Sequence, residues 1–418
     1  MKWISIKTLS LAGICLLLFN ACNKSNDPVV VIGQYKNIPL SESQKKFFAQ
    51  SNDFAFSFFQ EVNKMPIDRK NIMVSPLSVN IALHMTRNGA ANETLKAMLK
   101  TLKTEGVTEE EINKNYKFAI ETFTNLDPLV NLKFSNSIWH RNSLTPEKDF
   151  IDINTLYFKS RINALDFSSP KALATINEWV SNSTNGKIPS ILGEITSDAM
   201  LYIINAVYFN GIWKNKFDPT KTQEMSFAIN STSKVMANSM LQEINTQYFT
   251  NDLFSAVELP YGQANYNMYV LLPNKDKNPS DIISQLTAQN WGVWLSKFFP
   301  TPVQIHLPKF KFSYDETRMI PVLSEMGMGI AFSKSADFTR INKKGGLALT
   351  EVKHKTCIEV NEKGAEAAAA TSVKVGVTSN GVNPQPVIFT ADHPFVFLIQ
   401  EKETKTVLFM GVINNPNL

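Results

Sequence analysis

Cysteine is scarce: the 418 residues hold three, Cys15, Cys22 and Cys357. That number excludes a disulfide framework and a four-cysteine zinc site. Charge of one sign is also lacking. The 42 basic and 37 acidic residues leave a formal net charge of +5, and the basic side chains are scattered, with no stripe to follow a nucleic-acid backbone. Histidine is limited to His84, His140, His306, His354 and His393; none falls in H-E-x-x-H, and no two have metal-ligand spacing. No G-x-S-x-G elbow and no phosphate loop occur, because Gly186-Lys187 lacks the upstream glycine. Ser43-x-x-Lys46 matches a loose nucleophile pattern, but it opens an expected helix and reads as a solvated face. No catalytic residue, metal site or cofactor is therefore assigned, which makes an enzyme a distant reading. Low-complexity composition is absent too: 44% apolar and 19% charged residues suffice for a large core.

The N-terminus reads as an address. Lys2 and Lys7 flank an apolar run from Leu9 to Phe19, broken only by Ser10 and Gly13. The run is shorter than the about 20 apolar residues of a transmembrane helix and fits a secretory signal. Ala21 before Cys22 resembles a bacterial lipobox, so Cys22 is expected to carry lipid after removal of residues 1–21. Loss of Lys2 and Lys7 lowers the formal charge from +5 to +3 and leaves Cys357 as the one free thiol. Residues 22–40 read as a tether, and the globular part, 41–418, as one domain. Asn23 rather than Asp after the lipid-bearing cysteine favours the outer membrane or cell surface. Asn182-Ser183-Thr184 is a glycosylation sequon without expected consequence there.

Periodicity then divides the chain. Phe54, Phe58 and Val62, widened by Phe47, Phe48, Ala55 and Phe59, predict a helix over 44–62. Ser75-Pro76 is a helix start, with a capping hydroxyl before a first-turn proline, and Gly89 can end that helix. Residues 105–126 and 170–180 are also helical by pattern. Leu132–Trp139 alternates, and the nearly continuous apolar run Leu201–Phe209 predicts a strand buried on both faces. Further strands are expected over Ser226–Met240, Phe254–Leu259, Tyr266–Pro273 and Val303–Leu307. Pro386–Gln400 and Thr406–Ile413 are expected to form a hairpin around residues 401–405. Helices come first and strands dominate later, without an internal repeat or a splitting linker, so the class is α+β in one unit although length alone would permit two or three domains.

The informative segment is 362–379, EKGAEAAAATSVKVGVTS. Four consecutive alanines have high helix propensity. The alternation says otherwise. Positions 365, 367, 369, 371, 373, 375 and 377 are Ala, Ala, Ala, Thr, Val, Val and Val, while Glu366, Ser372, Lys374 and Thr378 share the other parity with Ala368, Ala370 and Gly376. Period two over thirteen residues marks a strand with one buried face. A loop rich in Gly, Pro and Asn follows, VTSNGVNPQP. A strand's pattern inside a long loop suggests a segment extended in one state and paired in another, with Gly364 as its hinge.

This segment resembles the hinge of inhibitory serpins, and the resemblance runs from about 41 to 418. It extends over SPLSVNIALHMTRNGA (75–90), NSIWHRN (136–142), INEWVSNSTNGKI (176–188), IINAVYFNGIWKNKF (203–217), VELPYGQANYNMYVLLP (257–273), LPKFKF (307–312), ADFTRI (336–341), HKTCIEVNEKG (354–364), ADHPFVFLI (391–399) and VLFMGVINNP (407–416). The resemblance implies the serpin fold, α+β, with three β-sheets, about nine helices and a reactive-centre loop over about 362–391. It implies an inhibitor rather than an enzyme. A serine protease attacks the loop, forms an acyl-enzyme, and is trapped when the cut loop inserts into the central sheet. Thirteen inserted residues at about 3.3 Å each span roughly 40 Å.

Residue by residue, Gly364, Ala365, Glu366, Ala367, Ala368, Ala369, Ala370 and Thr371 match the hinge, with Ala365 where serpins usually carry Thr or Ser. Ser75, Asn205 and His354 match the polar cluster beneath the sheet opening, called the shutter, though ordinary buried hydrogen bonding explains them as well. Trp213, Lys309 and Glu362 match the breach, where insertion begins, and Lys309 and Glu362 are expected to pair as ions. Counting from the hinge glycine puts the scissile bond at Thr378-Ser379; aligning from the loop's far end favours Asn380, and Lys374 is a third position. Thr378 suits elastase-like or subtilisin-like proteases and Lys374 a trypsin-like one. The implied partners are a target serine protease and, through the N-terminal lipid, a membrane, with no nucleic acid and the inhibitor acting as a monomer. The rival function on the same fold is a non-inhibitory serpin serving as a binding or carrier module.

Overall fold

The computed structural model describes residues 35–64, 71–364 and 385–418. Nine α-helices occur among them: α1 (Glu42–Lys64), α2 (Pro76–Arg87), α3 (Asn92–Thr101), α4 (Glu109–Thr124), α5 (Lys148–Phe158), α6 (Pro170–Ser183), α7 (Pro279–Gln285), α8 (Ala288–Leu295) and α9 (Met319–Leu323). Helix α1 buries the expected phenylalanines, from Phe47 to Phe59. Ser75 caps α2 by accepting from the Ser78 amide, and Pro76 occupies the first turn, where its missing N–H costs nothing. Almost every residue of α2 is buried, so its register is fixed on all sides. Thr108 caps α4, and Glu109, Glu110 and Glu111 lie in its first turn, where the helix dipole favours negative charge.

The described strands form three hydrogen-bonded groups. The first runs β3 (Arg161–Leu165), β2 (Val130–Arg141), β4 (Leu201–Gly211). The second pairs β10 (Phe310–Glu316) antiparallel with β11 (His354–Val360). The third runs β1 (Ile72–Val74), β14 (Val407–Ile413), β13 (Phe395–Glu401), β8 (Tyr266–Pro273), β7 (Phe254–Tyr261), β6 (Lys234–Thr250), β9 (Phe299–Pro308), β12 (Val387–Thr390), with β5 (Gln223–Ala228) on β6. Strands β13 and β14 are buried throughout and supply much of the core.

Three strand expectations change. Residues 226–240 are two strands, β5 and the start of β6, because Asn230 accepts from the Thr232 and Ser233 amides and turns the chain. Residues 386–400 are also two strands. β12 pairs parallel with β9, whereas β13 runs antiparallel between β14 and β8. The break falls at Asp392-His393-Pro394, where proline removes a ladder donor. The hairpin is therefore β13–β14 alone. Strand β4 is not buried on both faces: Leu201, Ile203, Val207 and Phe209 are only half-buried, alternating with buried Tyr202, Ile204, Ala206 and Tyr208. The body also begins before Ser41, within the stretch read as tether. Lys36 exchanges two hydrogen bonds with Asn265, and Ile38 is buried.

Candidate functional site: the space between β4 and β11

Among the described residues β4 pairs only with β2, and β11 only with β10. Val207 and Phe209 of β4 and Cys357 and Glu359 of β11 line one cavity of about 330 Å³, with Met73 and Phe409 beyond them. The half-burial of Val207 and Phe209 is explained by this space. It is bounded at both ends by hydrogen bonds.

At one end the chain leaves β11 through residues 361–364. The Trp213 amide donates to the Lys363 carbonyl at 2.9 Å, the Phe217 amide to the Glu362 carbonyl at 3.0 Å, and the Trp213 indole to the Asn361 carbonyl at 2.9 Å. Trp213 is stacked on Tyr261, ring centroids 4.2 Å apart. Glu362 meets Lys309 Nζ at 3.1 Å and accepts from the Thr222 hydroxyl at 2.8 Å. Burial alone would raise this carboxyl; hydrogen bonds from its own amide, Thr222 and Lys309 outweigh that and hold it below its ordinary value. Gly364 then bridges to Ile212 with φ +139°, and a Cβ there would overlap the Gly211 carbonyl oxygen. Only glycine fits that place.

At the other end Ser75 makes three links. Its amide donates to His354 Nε2 at 2.9 Å, its hydroxyl donates to the Leu408 carbonyl at 2.7 Å, and the same oxygen accepts from the Ser78 amide. Ser78 in turn donates to the Asn205 carbonyl at 3.4 Å, and Asn205 Nδ2 donates to Asn136 Oδ1 at 2.6 Å. The acceptor role of Nε2 requires a neutral His354 ring. Burial pushes this histidine down to about 4, opposed by Glu316, its cross-strand neighbour.

Ser75, Asn205 and His354 are thus brought into one network, and Trp213, Lys309 and Glu362 into another. Gly364 stands at the mouth of the space. Ala365, Glu366, Ala367, Ala368, Ala369, Ala370 and Thr371, with Lys374, Thr378, Ser379, Asn380 and Cys22, lie outside the described residues. Sequence reasoning missed Tyr261, Thr222 and Asn136 as partners. Tyr261 lies inside a motif already singled out; Thr222 carries no sequence signal of its own. Among the described residues no group of three His, Cys, Asp or Glu side chains could hold a metal ion, and no helix is long and apolar enough to cross a membrane.

This arrangement, with residues 49–416 matching the family model described as serpin (serine protease inhibitor), defines the class. The chain belongs to the serpin family, a family of protease inhibitors rather than enzymes. It is similar to antithrombin-III of Mus musculus, 31% identical over 398 residues, covering 92% of this chain and 85% of that one. Iripin-8 of Ixodes ricinus is 32% identical over 359 residues, covering 83% and 88%. Among solved structures, the thermophilic serpin tengpin in its native state superposes with a TM-score of 0.81 at 31% identity, over 92% of this chain and 97% of that one. Human thyroxine-binding globulin gives 0.80 at 26% identity, over 90% and 100%.

Proposed function

We propose that this serpin is an irreversible inhibitor of serine proteases, exported and held at a bacterial outer membrane or cell surface by a lipid on Cys22. The observation that carries the reading is the bounded space between β4 and β11, with Gly364 bridged to Ile212 at one end and, in sequence after it, alternate residues that are Ala, Thr and Val. A strand arriving from Gly364 would fill the space and pair with the edges of β4 and β11 that face it. The two boundary networks, Trp213–Lys309–Glu362 and Ser75–Asn205–His354, would rearrange to admit it. Small uncharged side chains on the inserting parity keep the cost of burial low.

In the reaction, the protease serine oxygen attacks the carbonyl carbon of Thr378. The Thr378–Ser379 bond breaks, the Ser379 amine leaves with a proton from the protease, and Thr378 remains esterified. Water would normally hydrolyse the ester. Insertion of the freed segment moves the bound protease before hydrolysis and distorts its catalytic groups. The intact fold must therefore lie above the inserted one in free energy and persist by a kinetic barrier. Elastase-like and subtilisin-like proteases fit Thr378; a trypsin-like enzyme cutting at Lys374 leaves a shorter inserting segment and releases more cleaved product. Asn380 is the remaining candidate.

Incubation with a neutrophil-type elastase and with subtilisin tests the reading. An SDS-stable complex containing the acylated residue, located by mass spectrometry, is expected. Quantitative cleavage with the protease still active would refute inhibition, leaving the non-inhibitory binding or carrier reading.

A further inference from the structure

His393 stands at the corner between β12 and β13. Its Nδ1 lies 2.7 Å from Asp392 Oδ1, and its Nε2 lies 2.9 Å from the Pro273 carbonyl oxygen at the end of β8. An ionised carboxylate and a carbonyl oxygen are both acceptors without hydrogens. Each ring nitrogen must therefore donate, and only the imidazolium has two N–H groups. A neutral ring can satisfy one contact and sets a lone pair against the other oxygen. Besides buried Phe389 and Ala391, backbone hydrogen bonds fasten the corner: Ala228 of β5 donates to the Asp392 carbonyl at 2.7 Å, and Ala391 donates to the His306 carbonyl of β9 at 2.9 Å.

What the corner holds is a weakly held strand. β12 has four residues, pairs parallel with β9 only, and ends the sheet order among the described residues. Ile388 is 69% exposed, and Phe389 is the one core side chain β12 contributes. The charged groups acting here are few. Asp392 sits beside the ring, and Lys234 of β6 acts on Asp392; β8 offers the Pro273 carbonyl and β5 the Ala228 amide.

We propose that His393 is a proton-operated clamp: protonated, it fastens the β12–β13 corner to β8, and deprotonation frees β12 to leave β9. The inference concerns described strands and stands whether or not the chain inhibits proteases. The sign follows from the partners. The Asp392 hydrogen bond, helped by the Pro273 carbonyl, holds the ring above its ordinary 6.5 against burial. The clamp's contribution is complete below that value and is lost as pH rises through the raised one. Release of β12 would uncover the β9 edge from Val303 to His306, a template for pairing with a second copy of this chain.

The test is amide hydrogen exchange on the full chain at about pH 6 and about pH 8.5, corrected for intrinsic rates, together with imidazole ¹⁵N shifts. A ring protonated on both nitrogens at the lower pH is expected. Protection over 387–391 should fall about tenfold relative to β13 at the higher pH, with H393Q low at both. A neutral His393 at about pH 6, or an H393Q chain with the full wild-type pH response, overturns the clamp. Should H393Q fail to fold, D392N must move the midpoint of the exchange transition to lower pH; an unmoved midpoint also overturns it.

Discussion

Gly364 and His354 mark the two ends of the space between β4 and β11, and each makes a measurable demand. Gly364 combines φ +139° with a backbone oxygen where a Cβ would sit. Gly364→Ala is expected to cost about 1–3 kcal/mol, read as a lower denaturant midpoint at unchanged slope. An unchanged midpoint would mean that 361–364 does not need this conformation. His354 is held neutral at about 4 in the folded chain, whereas an unfolded histidine titrates near 6.5. As pH falls, the unfolded chain takes up the proton first. Stability is therefore complete above about 6.5 and declines toward about 4, by about 3 kcal/mol. Urea midpoints across that window should show the decline in the wild type and a shallower one in His354→Gln. Equal slopes would remove His354 from the acid response.

The elements were legible where one period held without interruption. The 3.6-residue stripe of Phe54, Phe58 and Val62 gave α1, and Ser75-Pro76 gave the start of α2. Two strand pairs carry an explicit polar break, Asn-Ser-Thr-Ser-Lys over 230–234 and Asp392-His393-Pro394, so the sequence held the signal that divides each run. The half-burial of Val207 and Phe209 had no sequence signal, since the cavity they line is made jointly by residues far apart in the chain. The site was legible mainly through the serpin resemblance. Trp213, Lys309 and Glu362 come from three separate segments, and Thr222 joins Glu362 across 140 residues of sequence, a contact no local pattern encodes. The alternation in 365–377 makes a prediction at this scale. Ala367→Arg or Ala369→Arg would bury an unpaired guanidinium on insertion. Each is expected to raise the inhibitor-to-protease ratio needed for full inhibition at least about tenfold and to replace complex by cleaved chain. Ala368→Arg, on the other parity, should do neither. Equal effects at 367 and 368 would contradict period-two insertion.

At the scale of the whole molecule, the serpin fold divides labour. The large third group of strands, in which β13 and β14 are buried throughout, holds a conventional core. The first and second groups, β3-β2-β4 and β10-β11, share no strand ladder among the described residues and flank a cavity with hydrogen-bonded links at either end. A fold left with room between two strand edges has forgone burial that another arrangement of the same chain could gain. Inhibition by insertion needs that reserve. The most direct measurement is thermal unfolding of the chain before and after a single cut within 374–380. The cleaved form should melt at least about 10 °C higher, as expected for several kcal/mol of added stability. A cleaved form that melts with the intact one, or below it, would mean that no strand entered and that the inhibitory mechanism is wrong.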